Sequence, residues 1–509
     1  MKKSTIQKLM KTSTFAVALT LLSVNALAQQ PGRPPQPQSG PAGQSSKGAV
    51  IKGKTPINRD VLKLKLPKAQ ETTLPNGLQI VLLENRKIPT FSMQLQVLSG
   101  GLSDPASQRG LAAVTASLLR EGTAKRSNRE IAEQTEMLGS TLNSISGVSG
   151  FTSSVNTSGL IENFDSSLDI FADVVRNPQF PGTEVEKYKN RTLAQLQIQR
   201  SIPQLLAAER FHKAVYGAHP ASEILLSESI KSITADDLKR FHQTYYRPNN
   251  AILAVVGDIT MKELLPKLEK AFADWQKSEV PATKIPAANA PEKNGVFLIN
   301  RPGSVQTVLT VGGLGIERTS PDYFAVQVMN QILGGGASSR LFLNLREDKG
   351  YTYGAYSNLL SSKYAGLVWA ESEVRTEVTE GALKEIMFEL KRLREEPVSA
   401  TEFENAKRAL TGSFALSLEQ PQSLVSNLTT LKLYNLPADY WDVYPQRINA
   451  VTLEDVRRVA NKYYDPARLQ IIAVGDAAKV RDALSKYGAV ETFEVETKPG
   501  APMITNRPN

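Results

Sequence analysis

Two stretches of this chain repeat each other at a distance of 218 residues. Thr234 to Asp258 reads TADDLKRFHQTYYRPNNAILAVVGD and Thr452 to Asp476 reads TLEDVRRVANKYYDPARLQIIAVGD, with nine of 25 positions identical in a gapless overlay. Each copy has the pattern of an amphipathic helix, a Tyr-Tyr-x-Pro break, an apolar strand and a Gly-Asp turn. Solenoid repeats have periods of about 20–50 residues, so a period this long marks a duplicated domain. The chain must therefore fold as two homologous halves, and 509 residues are enough to give each a sizeable core.

The elements around the repeat define the fold class. In the first half, Asn76-Gly77 is a turn signal, and Leu78, Ile80 and Leu82 alternate as on a strand, as do Met93, Leu95 and Val97. A helical segment is predicted over 110–123. A second helix follows Ser127, which with Glu130 forms a capping box. Strand alternation is predicted over 139–158, and helices over 159–176 and from Thr183 to about Arg200. The second half repeats the order, with strands at 295–299, 306–313 and 366–375 and a helix over 322–333. Strands and helices mix without strict βαβ alternation, so each half is expected to be α+β on a mostly antiparallel sheet.

The boundaries follow from composition. Basic residues Lys2, Lys3, Lys8 and Lys11, the apolar run from Phe15 and the exit Ala26-Leu27-Ala28 have the form of a secretory signal peptide over 1–28. The run is too short to span a bilayer as an anchor, and no other stretch reaches about 20 apolar residues, so no membrane span is expected. Residues 29–65, rich in Pro, Gly, Gln and Ser, read as a tether. The first domain is placed at 66–277, a proline-containing linker at 278–294, the second domain at 295–492 and a tail at 493–509. The chain has no cysteine, which excludes disulfides, a thiolate nucleophile and Cys-based metal sites. Its formal charge of +10 is concentrated at the start: residues 1–60 hold nine basic and one acidic residue, leaving +2 for the rest. The folded part therefore has no basic footprint for nucleic acid.

Several motifs in order along the chain carry a family resemblance. They are LPNGLQIVL, a Gly-Leu-Ala helix ending in Glu121-Gly122-Thr123, GSTLNS at 139–144, AHP at 218–220, YYRPNNAILAVVGD, and ILGGGASSRLFLNLREDKGYTYGAYS. Together, over roughly residues 66–490, the chain resembles the insulinase/pitrilysin-type zinc metallopeptidases, which include the mitochondrial processing peptidase. The resemblance implies a clamshell peptidase built from two such double-domain chains. In that family an H-x-x-E-H helix supplies two zinc-binding imidazoles one turn apart and a glutamate base for the metal-bound water. Here the matching stretch is GLAAVTASLLREGT: Ala113 and Ser117 stand at the histidines and Ala116 at the glutamate. The third ligand, a downstream glutamate, falls on Gln195 or its neighbour Ala194. A methyl group cannot ligate zinc and a hydroxyl replaces imidazole poorly. The three histidines, His212, His219 and His242, have no i,i+4 pair among them and read as structural, His219 in the family's His-Pro position. No zinc is expected in this chain; it is expected in the partner.

The second-half segment SRLxxxLRExxGxxY keeps the family pattern, and the resemblance assigns Arg346 and Tyr353 to a peptide held at the partner's zinc. A guanidinium and a phenol can both donate to a substrate backbone or a developing oxyanion. The competing reading pairs Arg346 with Glu347 or Asp348 and packs Tyr353 in a strand. The triple glycine at 334–336 lacks the Gly-Lys-Ser/Thr ending of a phosphate loop and is better explained as a helix C-terminus requiring positive φ. The resemblance thus implies a non-catalytic subunit, inactive alone, of an exported heterodimeric zinc endopeptidase. The companion would be a homologous H-x-x-E-H chain and the substrates peptides; the signal peptide without a lipid-anchor cysteine points to the periplasm of a Gram-negative bacterium. The alternative is a peptidase-derived peptide-binding or assembly protein with no part in hydrolysis.

Overall fold

A computed structural model describes residues 68–495 and 504–506. The segments assigned to the signal peptide, 1–28, and to the tether, 29–65, lie outside the described residues. The described residues of both halves belong to one compact unit.

The first half carries β1 (Gln70–Thr73), β2 (Gln79–Glu84), β3 (Thr90–Val97), β4 (Thr141–Ser146), β5 (Ser153–Leu160) and β6 (Ala251–Gly257). They form a sheet in the order β1-β2-β6-β3-β5-β4, antiparallel except for β2 beside β6. The second half carries β7 (Gly295–Asn300), β8 (Gln306–Leu314), β9 (Ile316–Glu317), β10 (Thr352–Ser362), β11 (Leu367–Arg375), β12 (Gln470–Gly475), β13 (Val490–Val495) and β14 (Ile504–Asn506). Its order is β14-β13-β7-β12-β8-β11-β10-β9. The run β2-β6-β3-β5-β4 recurs as β7-β12-β8-β11-β10, with the same pair parallel and the same three pairs antiparallel. The fold is therefore α+β, in two homologous halves.

The 218-residue offset also holds for helices outside the quoted repeat. Gly182–Gln199 maps onto Ala400–Ser417, and Pro203–Tyr216 maps onto the helix Pro421–Leu433 with Pro at the first position of both. The residues beyond these last two, Gly217 and Asn435, take left-handed φ of 57° and 49°; glycine and asparagine are the residues that tolerate it. Both repeat helices, Ala235–Tyr245 and Leu453–Tyr463, start with a capping box, Thr234 with Asp237 and Thr452 with Asp455.

The strands β6 and β12 read as continuous apolar runs, which requires cover on both faces. One face of each meets its own half. Leu253 and Val255 of β6 join the first-half core, and Ile471 and Ala473 of β12 join the second-half core. The opposite faces are covered reciprocally. Ile252, Ala254 and Val256 pack under Leu424, Val425 and Leu428 of the second-half helix Pro421–Leu433. Ile472 and Val474 pack under Leu206, Phe211 and Val215 of the first-half helix Pro203–Tyr216. Buried hydrogen bonds accompany the exchange, including Thr429 Oγ1 to Gln94 Oε1 at 2.7 Å.

Four local expectations change. The helix predicted over 110–123 spans Leu111–Leu118, and residues 159–160 complete β5, so that the next helix starts at Phe164. The tail expected from residue 493 begins inside β13, and Ile504–Asn506 pairs with that strand. Phe493 draws the strand inward: it is buried near Phe297, and the Arg210 guanidinium lies 4.3 Å from both ring centres. None of Gly334, Gly335 and Gly336 has positive φ. Glycine is needed at 334 for close approach instead, because a Cβ there would lie 2.0 Å from Ser357 N on β10.

Candidate functional site

The helix Leu111–Leu118 is set into the first half by Leu111, Val114 and Leu118, which enter the core. Its start is held by Asp104, whose carboxylate accepts from Gly110 N at 2.7 Å and Ala112 N at 2.8 Å. Burial pushes that carboxyl up to about 7 in spite of the two amides, which act to lower it. Ala116 is fully buried, and its carbonyl accepts from Ser144 Oγ. Ser117 Oγ donates to Ala113 O at 2.8 Å and accepts from Tyr188 Oη at 3.2 Å. Tyr188 lies on the helix Gly182–Gln199, where Ala194 and Gln195 are exposed. Where an H-x-x-E-H helix would present two imidazoles and a carboxylate, these positions present two methyl groups and a hydroxyl that is already bonded. This donor set does not fit zinc. Among the described residues no group of three or more His, Cys, Asp or Glu side chains could hold a metal ion.

The histidines have other partners. His219 Nδ1 accepts from Ala221 N at 3.0 Å, which leaves Nε2–H to donate to Pro286 O at 2.9 Å and fasten the interdomain segment. His242 Nε2 lies 2.8 Å from Val175 O, and burial lowers its pKa to about 4. Burial also lowers the pKa of His212, which meets Tyr216 edge to face.

Arg346 and Tyr353 flank one turn of the second half. A short helix, Arg340–Phe342, widens into a π-helical segment, Leu343–Asp348, an irregularity frequent at functional sites. Arg346 is exposed on it, with its guanidinium 4.7 Å from the Phe342 ring centre and Nε 3.5 Å from Glu347 Oε1. The chain then turns at Gly350, at φ 63°, into β10. Between Thr352, opposite Val374, and Ala355, opposite Ser372, the register slips, so Tyr353 and Gly354 form a bulge. Thr352 Oγ1 fixes it by donating to Glu373 O at 2.6 Å and accepting from Gly354 N at 3.1 Å. The bulge turns Tyr353 outward until its side chain is 91% exposed. Of the alternative roles read from the sequence, the Arg346–Glu347 contact exists, whereas Tyr353 does not pack.

The structure thus gathers Ala113, Ala116 and Ser117 on one first-half helix, meets them with the neighbouring helix of Gln195 through Tyr188, and places Arg346 and Tyr353 on one second-half turn. Sequence reasoning missed Tyr188, although it stands two helical turns before Gln195.

Two family descriptions match in tandem. Residues 79–229 match the insulinase family, peptidase family M16, and residues 232–410 match the peptidase M16 inactive domain. A zinc protease of Bacillus subtilis is 27% identical over 398 residues, covering 77% of this chain and 95% of that protein. A protein of Arabidopsis thaliana named for the mitochondrial-processing peptidase subunit beta is 23% identical, covering 82% of this chain and 80% of its own length. Among solved structures, a peptidase M16 inactive domain from Pseudomonas fluorescens is 30% identical with TM-score 0.75, covering 80% of this chain and 98% of that one. A Helicobacter pylori protease shares the fold at TM-score 0.75 and 21% identity, covering 80% of this chain and 100% of that one.

Proposed function

Because this chain belongs to the insulinase (M16) family of peptidases, we propose that it is the non-catalytic subunit of an exported, periplasmic zinc endopeptidase. In this reading it binds no zinc and pairs with a homologous chain that carries H-x-x-E-H. Arg346 and Tyr353 donate hydrogen bonds to a peptide enclosed between the two. The observation that carries the reading is the exposure of Tyr353. A bulge pinned by Thr352 holds a phenol 91% in solvent, seven residues after the exposed Arg346, where it contributes nothing to this chain's own core. The methyl groups at Ala113 and Ala116 support the division of labour, since they leave the metal and the base to the companion. Two donors on one turn suit a substrate carbonyl or the oxyanion formed from it.

The test is co-expression with an H-x-x-E-H homologue from the same cell, followed by purification, elemental analysis and peptide cleavage. The expected result is a complex with about one zinc per pair and chelator-sensitive cleavage, while this chain alone has neither zinc nor activity. Stoichiometric zinc and cleavage by the single chain would overturn the proposal. A stable pair whose cleavage does not depend on Arg346 and Tyr353 would favour a binding or assembly role.

A further inference from the structure

The reciprocal packing of the two halves leaves a gap at one end of the first sheet. The turn from β2 to β3 in the first half, the end of β6, and the connection between the helices Ala400–Ser417 and Pro421–Leu433 in the second half border a cavity of about 290 Å³. Small-molecule sites begin at roughly 300 Å³, so the space suits one amino acid rather than a longer peptide. Val256 is the last side chain of β6 packed under Leu424 and Val425. The connection leading into their helix borders the strand end without filling the space beside it.

The lining has an apolar part and one charge of each sign. Ile88, Val256, Leu418 and Pro421 supply the apolar part, and Ile88 is 53% exposed, so its surface is open to a ligand. Lys87 comes from the first half and Glu419 from the second, and no other lining residue is charged. Both side chains are exposed and free to reach into the space. Among the described residues neither forms an ion pair, with the other or with a third group. A lone cation would be repelled by Lys87 and a lone anion by Glu419, whereas a zwitterion offers each charge its opposite. An aliphatic side chain laid on Ile88 and Leu418 removes apolar surface from water.

We infer that this cavity binds a free α-amino acid with an aliphatic side chain. Its carboxylate meets Lys87, its ammonium meets Glu419, and its side chain lies against Ile88 and Leu418. No lining residue belongs to the helix Leu111–Leu118 or to the segment 340–353, so the cavity is separate from both site segments described above. The inference needs no companion subunit.

The experiment titrates the full chain with L-leucine by calorimetry and ligand-observed NMR. N-acetyl-leucine, which lacks the ammonium, and leucinamide, which lacks the carboxylate, are the comparisons. Saturable leucine binding is expected with a dissociation constant on the order of 1 mM, the scale for a ligand of this size. Each comparison ligand should bind about fivefold more weakly, the worth of one exposed ion pair. Lys87 and Glu419 are exposed, so Lys87→Gln and Glu419→Gln should leave the fold intact. Glu419→Gln should remove leucine's advantage over N-acetyl-leucine, and Lys87→Gln its advantage over leucinamide. Met137→Gln, a change at an exposed side chain outside the lining, should leave leucine binding as it was. Absence of saturable leucine binding would overturn the inference. So would comparison ligands that bind as tightly as leucine, or a leucine affinity unmoved by both cavity substitutions.

Discussion

Tyr353→Phe separates a structural from a functional role for the second-half turn, because the two make opposite demands. In the isolated chain the phenol is 91% exposed and its hydroxyl makes no hydrogen bond among the described residues. Deleting that hydroxyl should therefore change unfolding free energy by less than about 0.5 kcal/mol. For Arg346 the structure offers an exposed pair with Glu347 at 3.5 Å and a contact with the Phe342 ring at 4.7 Å. An exposed pair contributes about 0–1 kcal/mol and an exposed cation–π contact about 0.5–1 kcal/mol. Arg346→Met should thus cost this chain about 1 kcal/mol. If the two side chains instead meet the reacting peptide in the pair, each removal withdraws a donor from a developing oxyanion. Such a loss costs on the order of 10²–10³ in rate, roughly 2.7–4 kcal/mol. The assays are chemical denaturation of each variant alone and steady-state cleavage by the reconstituted pair, with zinc content and dimer size checked. The expected outcome is near wild-type unfolding and zinc content with kcat/KM lower by about a hundredfold. Arg346→Lys should also be impaired, because it keeps the charge and loses the planar fork. Unchanged turnover in Tyr353→Phe and Arg346→Met would refute the assignment.

Three other outcomes test the rest of the structure. Combining Ala113→His, Ala116→Glu and Ser117→His should not yield stoichiometric zinc by elemental analysis until Gln195→Glu adds a third ligand, and the buried carboxylate at 116 should lower the melting temperature. His242 has a folded pKa of about 4 against an ordinary 6.5, so the unfolded chain gains its proton first as the pH falls. The resulting stability loss of about 3 kcal/mol should develop between pH 6.5 and 4 and be absent from His242→Gln, as read from paired denaturation curves. Leu206→Ala, a fully buried change in a first-half helix packed on the second-half sheet, should cost about 2.7–5 kcal/mol and shift one cooperative transition of the whole unit; separate unfolding of the two halves would contradict the reciprocal packing.

What was legible in the sequence was periodic, and what was not depended on distant partners. The duplication, the capping boxes at Thr234 and Thr452 and the apolar strands β6 and β12 are local patterns, and each appears where its residues stand. The continuous run Ala251–Val256 already requires cover on both faces. It does not say that Val425, far along the chain, provides it, because apolar residues on a helix carry no address. The triple glycine was assigned to positive φ, but a pattern cannot reveal that a strand backbone would lie 2.0 Å from a Cβ at position 334.

The two site segments differ in what folding asks of them. Around Ala113, Ala116 and Ser117, the helix is fixed by Leu111, Val114 and Leu118 in the core and by Asp104 at its start. Residues at the ligand positions add little to that anchorage, so alanine and serine there preserve the helix while removing its capacity for metal chemistry. The Arg346–Tyr353 turn is the reverse case. It departs from regular geometry twice, in a π-helical segment and a β-bulge, and Thr352 holds the second departure in place. Folding alone would favour a regular helix and an unbroken ladder, and it gains nothing from a phenol standing in solvent. A geometry that stability does not require, held rigidly and ending in two hydrogen-bond donors, is best explained by what those donors meet outside the chain.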